Sequence, residues 1–187
     1  MKNKTTLIIL ALALAVFLVG ASVLYKTLTE SIDADQLATE ATQETEGELM
    51  HAPDFTVYDV DGSEVKLSDF FGKPIVVNFW ASWCGPCKME MPDFNEKCQE
   101  LDGDVTFLMV NMTDGSRETV DIASAFIAEQ GYSFPVYYDT ASSAALAYSV
   151  YSLPTTFFID AQGNAIAQAT GAIDAATLQT GIDMIYP

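Results

Sequence analysis

Cysteine and histidine are scarce in this sequence, whose 187 residues include three cysteines and one histidine. Three cysteines are too few for the disulfide framework of a small secreted domain, and a closed zinc site needs four ligands. We therefore expect no metal site, and we also predict no bound cofactor. What remains is a close pair, Cys84 and Cys87, and one remote cysteine, Cys98. That arrangement favours redox chemistry at the pair and a packing role for Cys98.

Basic side chains are scarce as well, with 8 lysines and arginines against 26 aspartates and glutamates and a formal net charge of -18. Such a surface repels the phosphates of nucleic acids and the head groups of anionic lipids. The composition therefore argues against nucleic acid as a partner. It leaves two interpretations open, namely solubility outside the cell and recruitment of a basic partner.

Charge is missing altogether from residues 7–24. An apolar run of this length is near the lower limit for a helix that crosses a bilayer core about 30 Å thick. Lys2 and Lys4 precede the run, and basic residues accumulate on the cytoplasmic side of membrane proteins. Residues 1–26 are therefore predicted to be a transmembrane signal anchor, with the N-terminus in the cytoplasm and the rest of the chain exported.

A cleaved signal peptide is the alternative, because small residues at positions 20–22 could form a cleavage site. In both cases the remaining chain lies outside the cytoplasm, where disulfides persist. Residues 27–51 then contain seven acidic side chains and no lysine or arginine. Such a segment cannot bury enough apolar surface to fold, so we expect an acidic flexible linker. The folded domain is predicted to occupy residues 52–187.

Segments typical of strands and of helices alternate in this domain. The run Ile-Val-Val-Asn-Phe-Trp at residues 75–80 is nearly all apolar, as in a central strand that is buried on both faces. Further strands are predicted at residues 54–60, 64–67, 105–110, 136–138, 155–159 and 165–169. Helices are predicted at residues 85–101, 116–130, 142–148 and 174–185. This order indicates a layered α/β fold, but it leaves the topology open.

The cysteine pair stands where the predicted central strand gives way to a helix. Two intervening residues at a helix start bring both sulfurs close enough for a disulfide. The unpaired N–H groups of the first turn stabilise a thiolate at Cys84, and Pro86 is tolerated there because its missing N–H would have no partner. We expect Cys84 to be the exposed nucleophile and Cys87 to be the shielded thiol that resolves the mixed disulfide.

Two segments carry a family resemblance. Residues 78–92 (Asn-Phe-Trp-Ala-Ser-Trp-Cys-Gly-Pro-Cys-Lys-Met-Glu-Met-Pro) resemble the active-site segment of the thioredoxin superfamily, and residues 153–160 (Leu-Pro-Thr-Thr-Phe-Phe-Ile-Asp) resemble its cis-proline loop. The Ala-Pro-Asp-Phe opening at residues 52–55 is similar to the TlpA/ResA-like branch, which comprises membrane-anchored extracytoplasmic reductases. The resemblance implies a thioredoxin-like fold, a central mixed sheet flanked by helices, with an N-terminal hairpin extension and an insert after the second central strand.

The resemblance also implies roles for the residues around the cysteines. Pro154 matches the cis-proline of the family, and the backbone of Leu153 is expected to pair with an extended substrate strand. Trp83, Gly85 and Pro86 are expected to complete the surface on which the substrate docks.

Proton transfer is assigned by the same resemblance. Glu90 matches a buried acid of the ResA-like reductases that exchanges protons with the thiols, although a glutamate on the helix surface is the alternative. Asn78 stands where cytoplasmic thioredoxins have a buried aspartate. Because an amide is not a general acid or base, the proton relay is expected to use Glu90.

The implied activity is reduction of disulfides in exported proteins, including the haem-site cysteines of c-type apocytochromes in some relatives. A membrane electron donor would recharge such an enzyme. An oxidant that forms disulfides and a thiol peroxidase are the alternatives. Gly85 and Pro86 between the cysteines favour the reductase, and the Ala-Ser-Trp before Cys84 differs from the Thr-x-x-Cys setting of a peroxidase.

Overall fold

The computed structural model describes residues 50–186, whose elements we number in chain order. The first elements are β1 (Thr56–Tyr58), β2 (Glu64–Lys66) and a short 3-10 helix (Leu67–Phe70). The central unit is β3 (Ile75–Trp80), α1 (Gly85–Glu100) and β4 (Thr106–Asn111). The next elements are α2 (Val120–Gln130), β5 (Val136–Tyr138) and α3 (Ser143–Ala147). The last are β6 (Thr155–Ile159), β7 (Ala165–Thr170) and α4 (Ala175–Ile185).

One mixed sheet contains these strands in the order β2-β1-β5-β4-β3-β6-β7. The β3–β4 and β4–β5 pairs are parallel, whereas β6 runs antiparallel to β3 and β7 antiparallel to β6. The hairpin of β1 and β2 joins the sheet where Tyr58 pairs with Tyr138 of β5. The predicted fold is confirmed, with α2 and β5 as the insert that follows the second central strand.

Strand β3 is buried along its whole length, as its apolar sequence predicts. Its side chains alternate between the two faces of the sheet. Val76 and Trp80 pack in the cluster that contains Phe94 of α1, while Val77 and Phe79 pack in the cluster on the opposite face. The strand ends at Trp80, so the cysteine segment leaves the sheet directly after a strand that is buried on both faces.

The helix predicted over residues 116–130 begins later than expected. Thr119 is its N-cap, because the Thr119 hydroxyl accepts a hydrogen bond from the Ile122 amide at 3.2 Å, and the helix starts at Val120. The predicted stop at Gly131 is confirmed by its left-handed φ of 70°. Ile122 does not face the core, since 44% of its surface is exposed. The capping threonine thus leaves residues 116–118 in the preceding loop.

The N-terminal predictions concern a part of the chain that is mostly outside the described residues. Residues 1–49 include the predicted anchor and nearly all of the predicted linker. Within residues 50–186, no helix combines the length and the apolar character needed to cross a membrane. His51 is exposed and makes an isolated β-bridge with Asn164, and its ring lies 5.2 Å from that of Phe71.

The contact between Gly181 of α4 and Phe158 of β6 gives a stability prediction. A Cβ atom at Gly181 would lie 2.2 Å from Cζ of the Phe158 ring. Although alanine is the better helix former, we expect Gly181→Ala to lower the free energy of unfolding by about 1–3 kcal/mol because it overpacks the core. Urea denaturation followed by circular dichroism would measure the change.

Thr180→Ala is the control, since Thr180 lies next to Gly181 in the same helix and is exposed. We expect it to change the free energy of unfolding by less than about 0.5 kcal/mol. A Gly181→Ala protein as stable as the Thr180→Ala protein would contradict the tight packing of α4 against β6.

Candidate active site

Cys84 and Cys87 form a disulfide at the start of α1, with an S–S distance of 2.10 Å and a Cα–Cα distance of 5.3 Å. Cys84 is the N-cap of the helix, and its sulfur accepts a hydrogen bond from the Cys87 amide at 3.2 Å. The sulfur therefore lies against the unpaired N–H groups and the positive end of the helix dipole. Both effects stabilise a Cys84 thiolate once the disulfide is reduced.

The two cysteines differ in exposure, but less than the sequence predicts. Cys87 is fully buried, and Cys84 exposes only 4% of its surface. The expectation of an exposed Cys84 is therefore wrong for the disulfide form, because the bonded partner and the surrounding loops cover most of the sulfur. The order of access is as predicted, with Cys84 the more accessible of the two.

A groove beside the disulfide is the approach to Cys84. Its volume is about 490 Å³. It brings together four of the five predicted docking residues, namely Trp83, Gly85, Pro86 and Leu153. Cys84, Met112, Asp114, Val150, Tyr151 and Ser152 complete the lining. Most of these side chains are apolar, which suits an extended polypeptide segment.

Pro154 lies behind this groove and is buried, so it supports the groove and does not line it. The Leu153–Pro154 peptide bond is cis, as the family resemblance implies. The Pro154 carbonyl accepts a hydrogen bond from Gly171 at 2.9 Å, and the Thr155 hydroxyl donates to the Ser152 carbonyl at 2.9 Å. These bonds hold the loop that carries Leu153 next to the cysteines.

Glu90 is buried on α1, one turn beyond Cys87, with 2% of its surface exposed. Its Oε1 accepts a hydrogen bond from the Asn78 side-chain amide at 2.8 Å, and its Oε2 accepts one from the Ile173 backbone amide at 2.9 Å. Burial raises the pKa of Glu90 to about 7, the two hydrogen bonds oppose this rise, and the nearby Asp93 adds to it. The surface alternative for Glu90 is therefore wrong, because the side chain is inside the protein.

Asn78 connects Glu90 to the strand that follows the cis-proline. Its amide nitrogen donates both to Glu90 and, at 3.0 Å, to the Thr156 hydroxyl of β6. Its carbonyl oxygen is buried and has no hydrogen-bond partner among the described residues. The Asn78 amide thus joins α1 to β6 without supplying a group that titrates.

Glu118 is a buried residue beside the site that sequence reasoning missed. It is fully buried in the loop between β4 and α2, and its carboxylate accepts hydrogen bonds from Ser82, two residues before Cys84. The sequence assigned Glu118 to the first turn of a helix, where a glutamate is ordinarily exposed. Residues 112–118 have no hydrophobic periodicity from which the burial of Glu118 could be predicted. The one available signal was Thr119, because a threonine at the N-cap would place Glu118 before the helix.

Cys98, the third cysteine, is not part of this disulfide. Cys98 is half-buried against the core, and burial raises the pKa of its thiol, with a smaller contribution from Asp102. No group of three or more potential metal ligands occurs within residues 50–186. Among the cysteines, Cys84 and Cys87 are joined in a disulfide, whereas Cys98 is a free thiol.

Comparisons with known proteins agree with this geometry. The model described as the AhpC/TSA family matches residues 50–168. The thiol-disulfide oxidoreductase ResA of Geobacillus kaustophilus (strain HTA426) is 36% identical over 138 residues, which are 73% of this chain and 76% of that protein.

Solved structures show the same fold. A thiol:disulfide interchange protein of the thioredoxin family from Chlorobium tepidum TLS has a TM-score of 0.65 at 26% identity, over 75% of this chain and 99% of that one. The exposed lipoprotein thioredoxin of Streptococcus pneumoniae strain TIGR4 has a TM-score of 0.58 at 33% identity, over 70% and 98% of the two chains. The chain therefore belongs to the AhpC/TSA family and, with its Cys84–Cys87 pair, to the ResA-like thiol–disulfide oxidoreductases of thioredoxin fold.

Proposed function

We propose that this thiol–disulfide oxidoreductase works outside the cytoplasm and reduces disulfides of exported proteins. The observation that supports this proposal is the Cys84–Cys87 disulfide at the start of α1, beside a groove that can take an extended chain. Apocytochromes of the c type are candidate clients, by analogy with the ResA-like branch. A membrane protein would return two electrons to the disulfide after each cycle.

The reaction follows from the order of access of the two sulfurs. The Cys84 thiolate attacks one sulfur of the client disulfide, which forms a mixed disulfide and releases the other client sulfur as a thiolate. The Cys87 thiolate then attacks Cys84, which re-forms the Cys84–Cys87 bond and releases the second client sulfur. The client gains two electrons and two protons, and the enzyme loses them.

Glu90 is the residue that we propose exchanges protons with the pair. It is three residues after Cys87 on the same helix, and both side chains are buried. A group with a pKa of about 7 can both accept and release a proton near neutral pH. The reduced cysteines and Glu90 are then expected to titrate as one coupled set.

The redox potential of the Cys84–Cys87 pair distinguishes a protein that reduces disulfides from one that forms them. Because Gly85 and Pro86 stand between the cysteines, we expect a potential nearer that of thioredoxin, about −270 mV, than that of DsbA, about −120 mV. Equilibration against glutathione buffers, with the cysteines trapped by alkylation, would measure it. A potential near that of DsbA would instead support a protein that forms disulfides.

Replacing Glu90 tests the proton relay. Glu90→Gln keeps the shape of the side chain and removes its titration, so we expect a shifted pH profile for Cys84 alkylation and slower turnover of a disulfide substrate, with the fold intact. Glu96→Gln is the control, because Glu96 is exposed on the same helix. Identical profiles and rates for the two variants would exclude Glu90 from the chemistry.

The stability of the same variants gives a second readout. In the folded protein Glu90 retains its proton up to its pKa of about 7, whereas a glutamate in the unfolded chain releases it at a pKa near 4.5. The stabilisation from keeping this proton is therefore present below about pH 4.5 and is lost as the pH rises to about 7. We expect the free energy of unfolding of the Glu90→Gln protein to lack this decrease between about pH 4.5 and pH 7.

Localisation is tested in cells. Residues 7–24 carry no charge and follow Lys2 and Lys4, so we expect the full-length protein in the membrane fraction, with its C-terminal domain accessible to protease added to intact cells. A soluble mature protein that begins near Ser22 would identify the segment as a cleaved signal peptide. A domain protected from protease in intact cells would contradict export.

A further inference from the structure

Glu118 is a charged side chain, buried next to the redox centre, that the reaction above does not use. Its Oε1 accepts hydrogen bonds from the Ser82 amide and the Asn111 side-chain amide, both at 2.7 Å, and its Oε2 accepts one from the Ser82 hydroxyl at 2.6 Å. The Thr113 hydroxyl donates to Oδ1 of the Asn111 side chain at 2.8 Å, which turns the Asn111 NH₂ group toward Glu118. Each partner is a donor, so the site fits a carboxylate.

Ser82 belongs to the turn that presents Cys84. The Cys84 amide donates to the Ala81 carbonyl at 3.1 Å, which closes the turn over residues 81–84. The Ser82 amide points out of this turn and would be an unsatisfied donor without Glu118. The carboxylate therefore holds the turn through both the amide and the hydroxyl of Ser82.

Two neighbouring contacts strengthen this attachment. The guanidinium of Arg117 lies 3.8 Å from the centroid of the Trp83 ring, and the Met112 amide donates to the Trp80 carbonyl at 2.9 Å. Residues 112–118 thus contact the chain just before Cys84 at three points. This loop connects β4 to α2, so the segment that leads into the insert contacts the redox centre from outside the βαβ unit of β3, α1 and β4.

The charge of Glu118 has an effect beyond its hydrogen bonds. None of its hydrogen-bond partners within residues 50–186 is a cation. Ser82 is two residues before Cys84, so the carboxylate lies at most about 14 Å from the Cys84 sulfur by the dimensions of the chain. A buried negative charge at that range is weakly screened and disfavours a thiolate, and therefore favours the disulfide over the dithiol.

We propose that Glu118 is a positioning residue for the redox centre, whose carboxylate holds the turn that carries Cys84 and opposes the development of negative charge on the Cys84 sulfur. The inference rests on the thiol–disulfide exchange activity and is independent of where the protein works. Other charged or titratable groups around Cys84 come from α1, from the β4–α2 loop and from the cis-proline loop: Lys88, Glu90, Asp114, Arg117 and Tyr151.

Glu118→Gln separates the charge from the hydrogen bonds. The amide oxygen of glutamine can accept the two bonds made by Oε1, and its NH₂ group can donate to the Ser82 hydroxyl, which rotates. We expect the alkylation midpoint of Cys84 in the reduced protein to fall by about half a unit to one unit. The equilibrium with glutathione should shift several-fold toward the dithiol.

Glu129→Gln is the matched control, because it removes the same charge from an exposed position of α2. A purely structural role for Glu118 would lower the stability of Glu118→Gln and leave its alkylation profile unchanged. The proposal would be overturned if Glu118→Gln and Glu129→Gln had the same alkylation midpoint of Cys84 and the same equilibrium constant with glutathione. A wild-type potential near that of DsbA would overturn only the reductase function, since the difference between the variants would remain.

Ser82→Ala tests the attachment even if Glu118→Gln does not fold. It removes the hydroxyl donor, retains the carboxylate and affects a half-buried side chain. We expect an unchanged alkylation midpoint and a loss of turnover of between about twofold and tenfold, as for one hydrogen bond. Unchanged turnover would overturn the positioning role.

Discussion

The abrupt change from β3 to α1 is the constraint on which the redox centre depends. Trp80 ends the strand fully buried, and Gly85 begins the helix, so only residues 81–84 are available to turn the chain. Burial of Met91 and Phe94 on the inner face of α1 sets the direction of the helix. Cys84 therefore receives the positive end of α1 as a consequence of core packing, and a change in that packing would move the sulfur even with both cysteines intact.

Two buried carboxylates flank this turn in different environments. Glu90 has two donors, and its burial keeps its pKa about 7, which suits a group that gains and loses a proton. Glu118 accepts three hydrogen bonds from Ser82 and Asn111, which suits a side chain that holds a turn in place. Environments that differ in this way allow one residue type to serve two tasks in one site.

Much of the fold could be predicted from the sequence because it depends on strong local patterns. The apolar run of β3, the cysteine pair at the start of α1 and the helix predicted at residues 174–185 all follow from such patterns. The β4–α2 loop could not be predicted, since Glu118 is buried by contacts with Ser82, 36 residues earlier in the chain. The small exposure of Cys84 likewise depends on loops that are distant in sequence.

The fixed separation of the two cysteines also limits how long a client stays attached. Their Cα atoms are 5.3 Å apart at the start of α1, so in the proposed reaction the attack by Cys87 on the mixed disulfide is an intramolecular ring closure. Well-oriented reactions of this kind reach effective molarities of about 10⁵–10⁸ M, far above the concentration of any competing thiol. Release of the client should therefore outpace its capture by other thiols, and the residence time of the covalent complex is set inside the enzyme.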